Sequence, residues 1–333
     1  MTAPTGEPGA DREAKQLAPV AALLERTWSA REVRVVAADR LSGGASRMTW
    51  SLDVLVDDDR LVPLVLQRQR AGAFAASRLE TEERLLRAAA AGGVPVPGVV
   101  AADSSGELLG SPFLLTERVE GETIPRRLLR RPDLAVARER FAADCGRVLA
   151  AVHALPLEGF PDLPRIDPLQ GLIDHLDDAL GASPAFELAL MWLADTRPPA
   201  QPPALVHGDF RTGNLMLDTE GLRAVLDWEL AHVGDPCEDL GWLCVRSWRF
   251  GGPHPVGGMG TREDLLAAYA AASGTETDPS TVFWWEVLGT LRWGVMCHLQ
   301  ARIHLGGHSR SVELAVIGRR VAENEYDLLR MLP

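Results

Sequence analysis

The stretch from Leu205 to Leu243 constrains the fold of this chain more than any other part of the sequence. It reads LVHGDFRTGNLMLDTEGLRAVLDWELAHVGDPCEDLGWL. The short apolar run that ends at Val206 predicts a buried strand, and a polar turn follows it. Two further apolar runs flank residues 218–221, a sequence typical of a β-hairpin turn. Because a hairpin returns the chain to its starting point, it can bring side chains from both of its ends close together.

Three oxygen-bearing side chains lie at the ends of these predicted strands. Asp209 and Asn214 belong to the polar turn, and Asp227 follows the hairpin. Amide and carboxylate oxygens can hold Mg²⁺ while leaving sites for phosphate and water, so Asn214 and Asp227 predict a metal site. A separate carboxylate, Asp209, can orient a substrate hydroxyl and take its proton. We therefore expect metal-assisted phosphoryl transfer, with these three side chains as the catalytic residues.

The pattern His-Gly-Asp, four residues, Asn, and then Asp-x-Glu after the hairpin resembles a known family. It is similar to the kinase-like small-molecule phosphotransferases, the aminoglycoside phosphotransferase and choline kinase superfamily. The residues that follow, 234–236 and 239–242, resemble the group that includes the kinase-like domains fused to acyl-CoA dehydrogenases. The resemblance implies a bilobal α+β protein-kinase-like fold, with a small antiparallel β lobe before a larger helical lobe. It also implies that Glu229 assists the metal and that Asp239 braces the catalytic turn.

The reaction implied by this resemblance is transfer of the γ-phosphoryl group of ATP, or of GTP, to a hydroxyl of a small molecule. Mg²⁺ would be the second cofactor. Aminoglycosides are the eponymous acceptors, and the likeness to the acyl-CoA-linked group leaves a hydroxyacyl-CoA acceptor open. Two other hypotheses remain, a nucleotide-binding module without catalysis and a metal-dependent phosphoester hydrolase. The intact catalytic set favours catalysis, and the β-rich portion upstream favours the kinase over the hydrolase.

A β-rich portion precedes the motif. Three strands are predicted there, at residues 33–36, 47–56 and 61–68. The loop between the first two is built of small residues, which lets backbone N–H groups approach a phosphate closely. By the resemblance, this loop covers the nucleotide, and it would do so through Gly43, Gly44 and Ser46.

The third predicted strand departs from the family pattern. The family carries a Lys or Arg toward the nucleotide phosphates, but here Gln67 occupies the expected place and Arg68 lies one residue beyond it. Because successive strand side chains face opposite ways, this offset matters. Either a bulge lets Arg68 contact the phosphates, or Gln67 contacts them more weakly. In the family the basic residue pairs with a helix carboxylate, for which Glu82 in the predicted helix 77–91 is the candidate.

A polar linker follows the apolar strand that ends near Glu117. In kinase-like folds this linker is the hinge whose backbone binds adenine, so the resemblance assigns Glu117 and Val119 to the nucleotide site. The expected organisation is a disordered leader of residues 1–15, an N-terminal lobe of residues 16–118 and a helical C-terminal lobe of residues 119–333. Long helices are predicted in the second lobe at residues 134–155, 168–180, 185–194, 235–245, 262–272, 280–303 and 309–329.

The composition excludes several classes of function. The sequence contains no run of about twenty uncharged apolar residues, so neither a transmembrane helix nor a membrane partner is expected. Its formal charge of −12 argues against a nucleic-acid partner, because binding to a phosphate backbone needs a basic face. The four cysteines are widely spaced in apolar contexts, which is typical of buried thiols in a reducing cytoplasm. We therefore expect a cytoplasmic enzyme with a small-molecule acceptor; the oligomeric state has no signature in the sequence.

Overall fold

The computed structural model of the chain divides into two compact units. It describes residues 10–41, 47–70, 79–167, 169–173, 183–308 and 311–333. The first unit contains the described residues up to Glu120 together with 228–230, and the second contains those of 121–227 and 231–333. The division falls two residues after the expected boundary, and a short segment beyond the hairpin belongs to the first unit.

The first unit is built on a five-stranded antiparallel sheet with the order β1-β2-β3-β5-β4. Its strands are β1 Val33–Leu41, β2 Arg47–Val56, β3 Arg60–Gln69, β4 Val99–Asp103 and β5 Phe113–Glu117. The predicted β-rich lobe is therefore confirmed. The tight turn between β2 and β3 places Asp57 and Asp58 at positive φ, a conformation that aspartate tolerates better than most residues.

Two helices flank this sheet. Helix α1 spans Ala10–Trp28, so it begins within the stretch 1–15 that was expected to be disordered. Its buried residues Leu17, Val20 and Leu24 join the same apolar cluster as the buried leucines and valines of the sheet. Helix α2 spans Leu79–Ala91 and contacts β4 and β5. These buried apolar side chains pack α1 onto the sheet and stabilise this unit.

The second unit is predominantly helical around the long helix α8. Its helices are α3 Pro125–Arg130, α4 Ala135–His153, α5 Pro184–Asp195, α6 Cys237–Cys244, α7 Arg262–Ser273, α8 Pro279–Leu305, α9 Val312–Ile317 and α10 Arg320–Met331. Helix α8 begins where the Asp278 side chain accepts a hydrogen bond from Ser280 N, with Pro279 at its first position. Residues of α8 pack against α5 and α10 in one apolar cluster.

The C-terminal stretch differs from its prediction. A single helix was expected over residues 309–329, but the structure has two shorter helices, α9 and α10, with Gly318 between them. A Cβ at Gly318 would lie 2.7 Å from Cβ of Ala301, so only glycine allows α8 to approach this closely. Most of the predicted helix 168–180 lies outside the described residues.

Four short strands surround the central motif in the second unit. They are β6 Ala204–Val206, β7 Leu215–Leu217, β8 Leu222–Val225 and β9 His232–Gly234. Strands β7 and β8 form the predicted hairpin, with Leu215 opposite Val225. Strand β6 pairs with β9, a partner that the sequence did not indicate. The described part of the chain contains no helix that is both long and apolar enough to cross a membrane.

Candidate active site

The loop between β6 and β7 carries two of the three predicted catalytic residues. Gly208 has φ +79°, a left-handed conformation that glycine adopts without steric cost, and it lets the chain turn just before Asp209. The far end of the loop is tied to the hairpin because Leu226 N donates to Asn214 O at 2.8 Å. The structure therefore brings the loop and the end of β8, where Asp227 follows, to one place in the second unit.

Three side chains fix the carboxylate of Asp209. Trp242 Nε1 donates to Oδ1 at 2.9 Å, and Asn214 Nδ2 donates to Oδ2 at 2.6 Å. Arg211 Nε lies 2.9 Å from Oδ1 and 3.1 Å from Oδ2. The residue is 9% exposed and its side chain 13%, so part of the side chain remains open to solvent. A carboxylate fixed in this way can meet a bound hydroxyl without reorienting.

Arg211 and Trp242 were not identified from the sequence. Arg211 stands two residues after Asp209, and its guanidinium lies 4.6 Å from the ring centroid of Trp248, a cation–π contact. Trp242 comes from α6, 33 residues further along the chain. The contact of Arg211 could have been predicted from its position two residues after Asp209. The contact of Trp242 could not have been predicted from the local sequence.

The oxygens of Asn214 and Asp227 suit a hard cation. Asn214 uses its amide nitrogen on Asp209, donating to the backbone O at 3.1 Å and to Oδ2 at 2.6 Å, which directs its amide oxygen elsewhere. Asp227 has φ +63°, a strained conformation of the kind found at functional sites. An amide oxygen and a carboxylate are ligands that Mg²⁺ prefers. The donor set therefore fits the metal, and its binding here stays a prediction.

Asp239 braces the catalytic turn, as the resemblance implied. Its Oδ2 accepts a hydrogen bond from His207 N at 2.8 Å, and its Oδ1 accepts one from Gly208 N at 2.9 Å. His153 Nε2 lies 3.2 Å from the same carboxylate. Burial alone would raise the pKa of Asp239, but the partners that hydrogen-bond its charged form hold that pKa below its usual value. The bracing role is confirmed.

His207 is a structural residue and not a base. It is fully buried; its Nδ1 accepts a hydrogen bond from Asp209 N at 3.2 Å, and its Nε2 lies 3.1 Å from Leu226 O. These partners require the neutral ring with the proton on Nε2. Burial lowers the pKa of His207, which favours the same neutral form.

We expect this histidine to make stability depend on pH. Because the pKa of His207 is lower in the folded state than the ordinary value of about 6.5, the unfolded state binds the proton first. The free energy of unfolding should therefore fall by up to about 1.4 kcal/mol per unit as the pH drops below about 6.5. Denaturant unfolding at pH 7.5 and 5.5 measures this loss, which His207→Gln should reduce. Replacement of the exposed His254 by glutamine is the control, and parallel losses in both variants would contradict the assignment.

In the first unit, the structure gives Glu82 a different partner from the one expected. Arg47 Nη2, from β2, lies 2.5 Å from Glu82 Oε2, and 3.7 Å from Oε2 of Glu229. The bulge that would have turned Arg68 toward Glu82 is absent, since β2 and β3 pair without a register shift from Arg47 to Val56. The predicted contact of Arg68 with the phosphates is therefore corrected. Glu229, which was predicted to assist the metal, lies beside the guanidinium of Arg47 in this structure.

Some of the remaining residues predicted to contact the nucleotide lie within the described part of the chain and others do not. Gly43, Gly44 and Ser46 lie outside the described residues. Glu117 ends β5, where its backbone N donates to Gly98 O at 2.8 Å, and Val119 follows one residue after Arg118. Their assignment to the adenine hinge stays a prediction. All four cysteines are buried and free, as predicted.

Comparisons with known proteins show which family and which fold this chain resembles. The model of the family described as "Phosphotransferase enzyme family" matches residues 38–282. Acyl-CoA dehydrogenase family member 10 of Mus musculus is 31% identical over 199 residues, which are 55% of this chain and 18% of that protein. Family member 11 of Homo sapiens is 30% identical over 178 residues, which are 50% of this chain and 22% of that protein. The match thus spans about a fifth of the length of these relatives.

Solved structures share the fold at low sequence identity. A candidate aminoglycoside phosphotransferase from Ralstonia eutropha has a TM-score of 0.73 at 20% identity, covering 97% of this chain and 98% of its own. Macrolide 2'-phosphotransferase from Brachybacterium faecium has a TM-score of 0.62 at 18% identity, covering 90% and 97%. A mutant of aminoglycoside phosphotransferase APH(4)-Ia, in complex with ADP and hygromycin B, has a TM-score of 0.61 at 17% identity, covering 94% and 98%. The predicted kinase-like fold is confirmed.

Proposed function

The chain belongs to the phosphotransferase enzyme family, and we propose that it transfers the γ-phosphoryl group of ATP, or of GTP, to a hydroxyl of a small molecule. The observation that carries this proposal is the carboxylate of Asp209, held by Trp242, Asn214 and Arg211. The ADP complex of the APH(4)-Ia relative supports an adenine nucleotide as the donor.

Each side chain of the second-unit site has a defined task in this reaction. Asp209 accepts the hydrogen bond of the acceptor hydroxyl and takes its proton as the oxygen attacks phosphorus. Trp242 and Asn214 keep the carboxylate in the orientation that this transfer needs. Arg211 places positive charge beside the reacting oxygen, where the transferred group carries negative charge. Asn214 and Asp227 would hold Mg²⁺, which when bound neutralises the charge of the nucleotide phosphates.

A cavity of about 650 Å³ in the second unit is the candidate acceptor site. It adjoins the 3-10 turn Arg246–Arg249, whose Trp248 also stacks on Arg211 next to Asp209. Its charged lining consists of Arg126, Arg246, Arg320, Glu323 and Asp327. Arg246 lies 3.3 Å from Asp327 and Arg320 lies 3.9 Å from Glu323, so these charges offset one another and the lining keeps a net excess of one positive charge. This small excess favours an acceptor that carries an anionic group.

A hydroxyacyl-CoA ester is the acceptor that we favour within this class. It combines a hydroxyl with an anionic phosphate-bearing portion, and the curated relatives are acyl-CoA dehydrogenase family members. An aminoglycoside, which is polycationic, would gain less from this lining, because its net charge is positive. Because structural neighbours are named as aminoglycoside and macrolide phosphotransferases, these compounds are also tested as acceptors.

The test is Mg²⁺-dependent consumption of ATP and GTP with a panel of hydroxyl compounds. The panel contains hydroxyacyl-CoA esters, sugars, choline, macrolides and aminoglycosides, and Asp209→Ala is run with each. Consumption that depends on one acceptor and disappears in Asp209→Ala supports the kinase. A rise in melting temperature with ATP, but no product from any compound, would favour the binding module. Phosphate release from a phosphoester without nucleotide would favour the hydrolase.

A further inference from the structure

The two faces of the sheet in the first unit have different chemistry. Leu52 and Val54 of β2, with Leu64 and Leu66 of β3, belong to the apolar cluster that includes α1. Side chains alternate along a strand, so the odd-numbered residues of β2 and β3 face away from α1. Arg47 is one of these residues, and the alternation places it on the same face as Gln67, which pairs with Thr49 two residues further along β2. We call this surface the polar face of the sheet.

Arg47 is buried on the polar face between two acidic side chains. It is the one arginine among the described residues that is less than a tenth exposed. Its Nη2 lies 2.5 Å from Glu82 Oε2, whose side chain is 3% exposed, and 3.7 Å from Glu229 Oε2. Burying a charge costs free energy that an ion pair offsets only in part. A guanidinium kept in such a place therefore calls for a role beyond stability.

Arg68 has a different environment, because its even number places it on the apolar face. Its Nη2 donates to Leu109 O at 2.5 Å and its Nε donates to Ser111 Oγ at 3.3 Å. Its guanidinium also lies 5.8 Å from the ring centroid of Trp50. These contacts bind Arg68 to the chain segment before β5, and they hold its side chain on the face of the sheet opposite Gln67.

The composition narrows the choice of a phosphate-binding cation further. The whole chain contains a single lysine, Lys15, which lies in α1. A nucleoside triphosphate carries several negative charges, and in protein kinases a fixed cation paired to a helix carboxylate binds its phosphates. In the first unit Arg47 has this arrangement with Glu82 of α2. In the sequence, Glu229 follows Asp227 by two residues.

We propose that Arg47, on the second strand, is the cation that binds the nucleotide phosphates in this chain, in place of a basic residue on the third strand. This inference rests on the proposed kinase function. Glu82 orients the guanidinium, a planar group whose N–H donors match the geometry of phosphate oxygens. Gln67, on the same face, is neutral and cannot supply the charge. Compared with the family pattern, the basic residue of the ion pair lies on the second strand instead of the third, whereas the helix carboxylate keeps its position.

The test compares two arginine variants by calorimetric binding of adenosine, AMP, ADP and ATP to the full chain. Arg47→Gln should weaken ATP and ADP about tenfold to a hundredfold, as expected for the loss of charge-assisted hydrogen bonds, and should leave adenosine unchanged. Arg68→Gln is the matched control, because it removes the same charge from the adjacent strand and the opposite face. It should lower the melting temperature but leave the ratio of ATP to adenosine affinity at the wild-type value.

Two double variants keep the proposal testable if Arg47→Gln does not fold. Arg47→Gln with Glu82→Gln removes both buried charges and should show the same loss of phosphate-dependent affinity. Arg47→Gln with Gln67→Lys returns a cation to the polar face and should recover part of it. If the wild type binds ATP and the Arg47 variants bind it equally well, the inference is wrong. If the wild type binds neither ATP nor GTP, the proposed function itself fails.

Discussion

Replacing Asp209 by asparagine should lower kcat by about 10²–10⁴-fold, the contribution that a positioned general base makes. Asparagine keeps the size of the side chain, so the loop should keep its shape. Its amide cannot take a proton, however, and its nitrogen would face the donors of Asn214 or Arg211. The hydroxyl of the acceptor would then attack without a base.

The measurement is single-turnover phosphorylation of the acceptor identified by the panel, with nucleotide affinity determined in parallel. We expect the affinity for ATP to stay within about threefold of the wild type, since Asp209 acts on the acceptor hydroxyl. Glu220→Gln, in the exposed turn of the β7–β8 hairpin, is the control for a charge change nearby. A rate for Asp209→Asn equal to that of Glu220→Gln would remove Asp209 from the role of base.

The second large effect concerns stability and comes from Asp239. Asp239→Asn should lower the free energy of unfolding of the second unit by about 3–5 kcal/mol, as expected when one partner of a buried charged network is lost. The side chain is fully buried, and both of its oxygens accept backbone hydrogen bonds, from His207 N and Gly208 N. An amide nitrogen in place of one oxygen would face a donor. Turnover should fall as well, because the turn that carries Asp209 loses its brace.

Chemical denaturation at pH 7 measures this loss, with Asp195→Asn at the exposed end of α5 as the control. The dependence on pH gives a second readout. Since the pKa of Asp239 lies below its ordinary value, its stabilising effect is present above about pH 4 and is lost as the pH falls toward the folded-state pKa. The wild type should lose this contribution in acid, whereas Asp239→Asn should not. Unfolding curves of the two proteins that stay equally separated down to pH 3 would contradict the role assigned to Asp239.

The contrast between Arg68 and Arg47 shows where reasoning from the sequence ends. The strands themselves were predicted closely, because alternation of apolar residues is a local property. The partner of Glu82 could not be predicted in the same way. It is set by the register between β2 and β3 and by the packing of α2, neither of which is encoded by one residue and its neighbours.

By itself the sequence determined the hairpin, the positions of Asp209, Asn214 and Asp227, and the kinase-like order of a β-rich part before a helical part. Spacing, turn residues and strand periodicity act over a few residues, so they can be read along the chain. Only the tertiary structure decided that Trp242 holds the carboxylate of Asp209 and that Arg47 of β2, instead of a residue of β3, pairs with Glu82. These contacts join residues more than thirty positions apart, and packing between separate elements selects them.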